Sequence, residues 1–285
     1  YLFMHYSDLF SPTKLKNELS ACGIAPKKSL GQNFLIDRNA VEKIISAADV
    51  SKDNTVIEIG AGFGVLTLPL VERAMRVIAY ELDARLIPFL YETVKNCTNV
   101  EIRAEDAREA VFDLHRSIIV GNLPYYATGR ILRQIFTSPI LPERVVVTVQ
   151  KEVGERLLAR PGELSLQAIA AQLYGAPKRI AILPKTVFYP APGIDSMVVR
   201  IDKNEFAPIG DELTGIFRLV KCGFSNKRKL LAGNLSRGLG IDRKIIINAL
   251  AENKLPQTAR AQELSVNDWQ GLFHTLLGYG IIKTK

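Results

Sequence analysis

The residue types and spacing that most directly indicate chemistry lie at residues 122–125, Asn-Leu-Pro-Tyr, after an apolar run at 117–121 that predicts a buried strand. The side chain of Asn122 and a backbone carbonyl near Leu123 could accept both hydrogens of an exocyclic amine on a flat base, while Tyr125 stacks on that base. Such acceptors would turn the lone pair of the amine nitrogen, otherwise delocalised into the ring, towards an electrophile. The segment therefore predicts a site that makes a base amine nucleophilic; the alternative is a polar turn after a strand.

A glycine-rich loop precedes this segment by about sixty residues. A strand at 55–59 runs into Gly60, Gly62 and Gly64, where missing Cβ atoms let the backbone turn sharply and approach a ligand. A second strand ends in carboxylates, and Glu81, 21 residues after Gly60, is placed to accept from both hydroxyls of a ribose. The alternative is a strand-to-helix turn that binds no ligand.

Carboxylates at this spacing also suit NAD, so the loop alone leaves the cofactor open. Two details favour S-adenosyl-L-methionine: Glu58 lies two residues ahead of Gly60, and Gly64 comes one position earlier than the dinucleotide pattern requires. This cofactor has no pyrophosphate to seat at a helix N-terminus. Asp106 closes a third strand and could accept from the adenine amine of the cofactor, although an aspartate there also suits a helix cap or a turn.

The composition favours an anionic macromolecule as partner. A chain of 285 residues can bury one large core and a smaller one, so two domains are expected. The net charge is +8, and basic residues concentrate between 218 and 244, where Asp242 is the single acid. A solvated helix face is the alternative explanation of such a run. The candidate RNA contacts are Lys221, Lys227, Arg228, Lys229 and Arg237.

Several classes of protein do not fit the sequence. No apolar run approaches the roughly 18 residues of a membrane-spanning helix, and no signal peptide is evident. The three cysteines are widely spaced, which predicts reduced thiols and a cytoplasmic protein. The three histidines lack metal-ligand spacing, so no metal site is expected. Residues 1–3 are expected to be a remnant ahead of a natural start at Met4.

Predicted strands and helices alternate up to about residue 205, and a mostly helical segment follows. The alternation predicts an α/β fold: a mainly parallel, Rossmann-like sheet with helices on both faces at 1–205, and a small all-helical domain at 206–285. Ligands of such sheets bind beyond the carboxyl ends of the strands. Gly60, Glu81, Asp106 and Asn122 are all expected there.

The chain resembles the ribosomal RNA adenine N6-dimethyltransferases of the KsgA type over nearly its whole length. The resemblance rests on ordered motifs: Lys-Ser-Leu-Gly-Gln-Asn-Phe-Leu at 28–35, Glu-Ile-Gly at 58–60, residues 122–125, Gln-Lys-Glu-Val with Glu-Arg-Leu at 150–157, Phe-x-Pro-x-Pro-x-x-Asp-Ser at 188–196, and Phe-Ser-x-Lys-Arg-Lys at 224–229. Several motifs in this order across about 200 residues are far more specific than any one of them.

The resemblance implies dimethylation, by S-adenosyl-L-methionine, of N6 in two adjacent adenosines of a hairpin loop near the 3′ end of small-subunit ribosomal RNA. It implies a partner, the immature small subunit, and we expect a monomer. Residues 1–35 would close over the cofactor. The residues implied to bind the cofactor are Asn33, Leu35, Gly60, Gly62, Glu81, Asp106 and Asn122, and those implied to handle the target base are Asn122, Leu123, Tyr125 and Phe188. Without the resemblance, Phe188 is an ordinary core phenylalanine.

Three positions depart from the family pattern: Tyr126 stands where asparagine is common, the loop at 160–165 is short, and Ala61 replaces a proline. The first two affect the expected shape of the target pocket. The nearest alternative is the erythromycin-resistance methyltransferase group, which modifies large-subunit RNA and usually has isoleucine where Leu123 stands. The others are a ribosome-assembly factor that acts mainly by binding, and an NAD-dependent dehydrogenase, which would leave Asn122 unexplained.

Overall fold

The computed structural model describes residues 5–27, 31–226 and 228–282. The contacts within the chain divide it into two compact units. The first unit contains the described residues up to Gly154 together with Pro177–Lys203, and the second contains Glu155–Ala176 together with the described residues from Asn204 onwards. Residues 1–3, residues 28–30 of the first family motif and Lys227 of the basic segment lie outside the described residues.

The first unit is built around a largely parallel sheet. Among the described residues, seven strands form it: β2 (Thr55–Ile59), β3 (Arg76–Tyr80), β4 (Val100–Arg103), β5 (Ser117–Asn122), β6 (Arg144–Gln150), β7 (Gly175–Leu183) and β9 (Ser196–Lys203). Their order in the sheet is β4-β3-β2-β5-β6-β9-β7. Each strand from β4 to β6 in this order runs parallel to its neighbour, and β6 pairs with β9 antiparallel. The predicted α/β fold with a mainly parallel sheet is confirmed.

Both faces of the central strands are covered. Ile118, Ile119 and Val120 of β5 point alternately to the two faces, yet each is at most 2% exposed. This explains why the strand reads as a continuous apolar run. The helices of the first unit are α1 (Pro12–Ala21), α2 (Arg38–Ala48), α3 (Thr67–Arg73), α4 (Ile87–Thr93), α5 (Thr128–Phe136) and the start of α6 (Lys151–Leu157). A second small sheet pairs β1 (Phe34–Leu35) with β8 (Phe188–Tyr189).

Local sequence explains how these helices begin and which side they bury. The Asp37 side chain accepts from the backbone N–H of Ala40 at 2.7 Å and so caps α2. Apolar residues of α2 recur at 41, 44, 45 and 48 and are all buried, which is the spacing of one helix face. In α5 the pairs at 131–132 and 135–136 are likewise buried, while Arg130 and Arg133 are exposed.

The second unit is helical from Asn204 to residue 282 in the part that the structure describes. Its helices are α7 (Leu166–Tyr174), α8 (Gly210–Gly223), α9 (Leu231–Leu239), α10 (Arg243–Glu252) and α11 (Val266–Gly278). They share one core around Trp269, which is fully buried. Asn234 of α9 is buried, and its Nδ2 donates to the backbone oxygens of Gly223 and Asn226 at 2.7 and 2.8 Å. These bonds fix the connection between α8 and α9, which lies within the basic segment at 218–244.

The grouping of residues 155–176 was not anticipated. The sequence predicts one boundary near residue 205, whereas α7 packs its apolar residues into the core of the second unit. The sequence could not reveal this grouping, because the apolar face of α7, with Ile169 and Leu173, could pack equally well against a sheet or against other helices. The division into two domains at residue 205 therefore stays a prediction. No helix among the described residues is long and apolar enough to cross a membrane.

Candidate active site

A cleft of about 670 Å³, here called the main cleft, lies at the carboxyl ends of the parallel strands. The structure brings together in it six of the predicted site residues: Asn33, Gly60, Gly62, Glu81, Asp106 and Asn122. Apolar side chains complete its walls, among them Leu82, Ala107 and Ile131.

The glycine loop approaches the main cleft with its bare backbone. Gly60 and Gly62 have φ angles of +78° and +58°, which residues other than glycine rarely adopt. A Cβ atom on Gly60 would lie 3.2 Å from the backbone oxygen of Asn122. The loop therefore needs glycine both for its conformation and for its close approach to the end of β5.

Glu81 ties the loop to the next strand. One of its carboxylate oxygens accepts from the N–H of Gly62 and the other from the N–H of Asp83, both at 2.8 Å. The side chain is buried, and burial raises its pKa, while the two N–H donors act in the opposite direction. Each oxygen keeps a further lone pair, so the carboxylate can still accept from two neighbouring hydroxyl groups of a ligand.

Asp106 is held by a residue that the sequence analysis did not single out. Arg108 donates from Nη2 to Oδ2 of Asp106 at 2.6 Å, and its Nε is shared between Oδ1 at 3.0 Å and Oδ2 at 2.9 Å. Its backbone N–H donates to Oδ1 at 2.9 Å. The Arg108 guanidinium lowers the pKa of Asp106, so this carboxyl is ionised at neutral pH. The guanidinium carbon lies 5.3 Å from the centre of the Tyr126 ring, which also lines the main cleft.

Asn122 is oriented by a contact across the cleft. Its Nδ2 donates to the backbone oxygen of Asn33 at 2.9 Å, and the N–H of the next residue, Leu123, donates to the Thr148 oxygen of β6. The amide nitrogen is therefore used by the protein. The amide oxygen of Asn122 is the acceptor that remains for a ligand, as the proposed amine chemistry requires.

The structure does not bring every predicted residue to the main cleft. The Tyr125 hydroxyl is bonded to the Ser196 Oγ at 2.8 Å, and this half-buried side chain does not line the cleft in the described structure. Leu123 is 1% and Phe188 3% exposed, and Phe188 packs in the core and pairs with Leu35 of β1. The stacking role of Phe188 and the cofactor contact of Leu35 stay predictions. Phe188 is covered here, and Leu35, itself 3% exposed, lines the smaller cavity beside the main cleft.

A second cavity of about 400 Å³ adjoins the main cleft, with which it shares Gly60, Gly62 and Asn122. Glu58 lines it, is fully buried, and has no hydrogen-bond partner for either carboxylate oxygen among the described residues. Burial raises its pKa to about 8. The Thr67 hydroxyl lies near enough to oppose this rise, although the two groups do not meet in hydrogen-bond geometry.

The segment before the sheet forms one wall of the main cleft. The Gln32 side-chain amide donates to Asp83 Oδ2 at 2.9 Å and accepts from the backbone N–H of Lys27 at 2.7 Å. Asp83 is 4% exposed, and the bonds from Arg85, with help from Gln32, lower its pKa to about 2. The sequence analysis missed Arg85 and Arg108. The signal that could have revealed them is the tripeptide Asp-Ala-Arg, which occurs at 83–85 and again at 106–108.

These groups fit S-adenosyl-L-methionine. Gly60 and Gly62 line the main cleft with backbone, Glu81 retains acceptors for two ribose hydroxyls, and Asp106 is an ionised acceptor suited to an adenine amine. Apolar walls suit the adenine ring. The buried carboxyl of Glu58 lines the second cavity beside the glycine loop, and its two unbonded oxygens could bind a polar part of a ligand there.

The chain is similar to known ribosomal RNA methyltransferases in sequence and in structure. A curated relative from Geobacillus kaustophilus, "Ribosomal RNA small subunit methyltransferase A", is 40% identical over 82% of this chain and 84% of its own length. The protein of the same name from Ligilactobacillus salivarius is 38% identical over 96% of this chain and 98% of its own length. Among solved structures, a dimethyladenosine transferase from Plasmodium falciparum superposes with a TM-score of 0.74 at 25% identity, covering 87% of this chain and 98% of its own.

The 23S rRNA methyltransferase ErmE also has this fold, with a TM-score of 0.68 and 25% identity over 86% of this chain and 99% of its own. The sequence profile of the family described as "Ribosomal RNA adenine dimethylase" matches residues 24–276. The chain therefore belongs to the ribosomal RNA adenine dimethylase family, and it is an S-adenosyl-L-methionine-dependent methyltransferase of ribosomal RNA.

Proposed function

We propose that this enzyme dimethylates N6 of two adjacent adenosines in a hairpin loop near the 3′ end of 16S ribosomal RNA, during assembly of the small subunit. The observation that carries the proposal is the orientation of Asn122. Its nitrogen is bonded to Asn33, so its oxygen is left to accept an amine hydrogen beside the cleft formed by Glu81 and Asp106. The curated relatives at 38–40% identity are named as small-subunit methyltransferases, which supports the choice of RNA.

The chain contributes positioning to this reaction. S-adenosyl-L-methionine supplies, when bound, a methyl group on a sulfonium as the electrophile. Glu81 and Asp106 hold the ribose and adenine ends of that molecule, while the oxygen of Asn122 holds the target amine and directs its lone pair. A strong base is not required, because the amine becomes acidic once it is alkylated and releases its proton to water. The target base must leave its stack or pair to reach Asn122.

We further propose that the second unit grips the RNA backbone. Lys221, Arg228, Lys229 and Arg237 are exposed, and none of the four forms an ion pair with an acidic side chain within the described residues. Unpaired cations on one unit suit phosphate binding, because phosphate binding depends on positive charge and not on the base sequence of the RNA. Lys227 belongs to the same proposal on sequence grounds. The partner would be the immature small subunit, bound by a monomer in the cytoplasm.

Two alternatives compete with this proposal. A large-subunit target is suggested by the structural likeness to ErmE, but that likeness comes at 25% identity, below the identity of the small-subunit relatives. An assembly factor that acts mainly by binding would need no oriented Asn122 and no accessible acceptor on Glu81. Each alternative predicts a different outcome in one assay.

The test is transfer of radiolabelled methyl groups from S-adenosyl-L-methionine to immature small subunits and, in parallel, to large subunits that lack their own methylation, followed by nucleoside analysis. Dimethyladenosine in small-subunit RNA alone is the expected result. Label in large-subunit RNA would assign the enzyme to the resistance group. Absence of label despite tight subunit binding would favour an assembly factor.

A further inference from the structure

We propose that Arg108 makes the cofactor site selective for a purine that carries an exocyclic amine, by fixing the Asp106 carboxylate so that its remaining lone pair faces the main cleft. This inference rests on the proposed use of S-adenosyl-L-methionine and concerns the residue that enforces the choice of adenine. Arg108 acts through Asp106 and is therefore a positioning residue.

The chain contains a similar arrangement twice, and one copy indicates what the other can bind. After β3, Arg85 donates from Nε and Nη2 to the two oxygens of Asp83 at 2.8 and 2.6 Å, and from its backbone N–H to Oδ1 at 3.2 Å. After β4, Arg108 donates from Nη2 to Oδ2 of Asp106 at 2.6 Å and from its backbone N–H to Oδ1 at 2.9 Å. Its Nε, unlike that of Arg85, is shared between the two oxygens, at 3.0 Å to Oδ1 and 2.9 Å to Oδ2. Both copies have the sequence Asp-Ala-Arg.

The two copies differ in what reaches the second carboxylate oxygen. In the first, Oδ2 of Asp83 also accepts an N–H of the Gln32 side-chain amide at 2.9 Å, so a planar NH₂ group completes the site. In the second, Arg108 is the residue that donates to Asp106 among those described. The Asp83 side chain is 3% exposed, whereas that of Asp106 is 23% exposed and lines the main cleft.

The amide NH₂ of Gln32 and the amine of adenine present the same chemistry, a planar NH₂ that donates in the plane of a conjugated group. An ionised carboxylate has about four lone-pair sites. The three N–H donors of Arg108, of which Nε is shared by both oxygens, leave about one of these sites for a ligand. The equivalent position on Asp83 receives Gln32. The open position on Asp106 is therefore suited to an adenine amine and opposed to a carbonyl oxygen at the same place.

Tyr126 supports this arrangement from the side. The Arg108 guanidinium lies 5.3 Å from the centre of its ring, a distance at which a cation is attracted to an aromatic face. The ring also lies against Gly31, where a Cβ atom would come within 3.3 Å of Tyr126 Cδ1. Tyr126 is thus held between the segment before the sheet and Arg108, and it restricts the rotation of the guanidinium.

Selectivity is measured as a ratio of two dissociation constants. The probes are S-adenosyl-L-homocysteine and its analogue in which hypoxanthine replaces adenine, both titrated calorimetrically into the wild-type protein. Hypoxanthine carries a carbonyl oxygen in place of the amine, and we expect it to bind at least about tenfold more weakly, the value of one charge-assisted hydrogen bond. In Arg108→Ala the freed carboxylate can turn to accept from the ring N–H of hypoxanthine, so the ratio should fall to about one to three.

Further variants separate geometry from charge. Arg108→Lys keeps the charge with fewer fixed donors and should give an intermediate ratio. Tyr126→Phe keeps the ring face and should keep the ratio, whereas Tyr126→Ala should lower it. Arg130→Ala is the matched control: it removes one exposed arginine that is ion-paired with Glu109 and that also lowers the pKa of Asp106 through its charge. Its ratio should equal that of the wild type.

Three results would overturn the inference. The first is an unchanged ratio in both Arg108 variants, and the second is tighter binding of S-adenosyl-L-homocysteine to Arg108→Ala, which would mean that Arg108 competes with the amine. Equal loss of selectivity in Arg130→Ala would do the same, because charge alone would then explain the effect. A wild-type protein that binds neither probe would instead overturn the proposed function. Thermal unfolding of each variant checks that it is folded.

Discussion

The Nδ2 of Asn122 donates to the backbone oxygen of Asn33 across 89 positions of the sequence, at 2.9 Å. This bond joins the segment before the sheet to the end of β5, and it decides which end of the Asn122 amide faces a ligand. Because the nitrogen is used, the oxygen remains as an acceptor. The segment before the sheet thereby sets the chemistry of the predicted base site.

Replacing Asn122 should therefore abolish transfer without loss of RNA binding. In Asn122→Ala the target amine loses its acceptor, and the turnover number should fall about 10²- to 10³-fold, as when one fixed polar group is removed from a site that stabilises a transition state. The affinity for RNA should stay within about twofold of the wild type, since the exposed cations of the second unit are unchanged. Parallel turnover and filter-binding assays measure both quantities.

Asn122→Asp is the sharper companion variant. It keeps oxygen acceptors but replaces the donor to Asn33 by a carboxylate oxygen that faces the Asn33 carbonyl, so the side chain should turn away and activity should be lost nearly as far as in Asn122→Ala. Activity close to that of the wild type would show that the bond to Asn33 is not needed. RNA affinity that collapses with activity in either variant would contradict the separation of binding from chemistry.

Glu81→Gln should weaken cofactor binding through the glycine loop. Both carboxylate oxygens accept backbone N–H groups, from Gly62 and Asp83, so an amide nitrogen in place of either oxygen would confront a donor with a donor. We expect the dissociation constant for S-adenosyl-L-homocysteine to rise about tenfold or more. Calorimetric titration measures it. Glu42→Gln, an exposed glutamate of α2, is the control, and equal affinities in the two variants would contradict the prediction.

The sequence predicted where the site residues lie better than it predicted the contacts between them. Gly60, Glu81, Asp106 and Asn122 were predictable because the ends of parallel strands meet at one edge of a sheet, whichever side chains cover it. The ion pair of Arg108 with Asp106 was missed because a charged residue two positions from a carboxylate is unremarkable until the turn geometry is known. The burial of Phe188 depends on pairing with Leu35, 153 positions away, which local patterns do not reveal.

Removing two cations of the basic segment should reduce the salt dependence of RNA binding. Arg228 and Lys229 are exposed, and each phosphate contact that is lost lowers the slope of log K against log salt concentration by somewhat less than one. In the double variant Arg228→Ala with Lys229→Ala the slope should fall by about 1.4 to 1.8. The turnover number at saturating RNA should be unchanged.

Filter binding of a hairpin RNA at several salt concentrations measures this slope. Lys43→Ala is the control, since Lys43 is an exposed lysine of α2 in the first unit and should leave the slope unchanged. A double variant with the wild-type slope would show that the RNA does not contact this segment.

The buried carboxyl of Glu58 should make the protein less stable as the pH rises. Its pKa is raised by burial from 4.5 to about 8 in the folded protein, so between these values the folded state holds a proton that the unfolded state has released. Where the folded state binds more protons, the free energy of unfolding falls as the pH increases. The stability linked to this proton is fully present below about pH 4.5 and is lost as the pH rises to about 8.

Glu58→Gln removes this titration while keeping the size of the side chain. The variant should match the wild type in urea unfolding at pH 5 and exceed it at pH 8.5 by an amount on the order of a few kcal/mol, since each pH unit in the window is worth at most about 1.4 kcal/mol. Groups that do not interact with Glu58 contribute equally to both proteins and cancel in the difference. Glu42→Gln, at an exposed position, should give a difference that does not change with pH. A constant difference for Glu58→Gln as well would mean that the Glu58 carboxyl is solvated in the folded protein, and the second cavity would then be open to water.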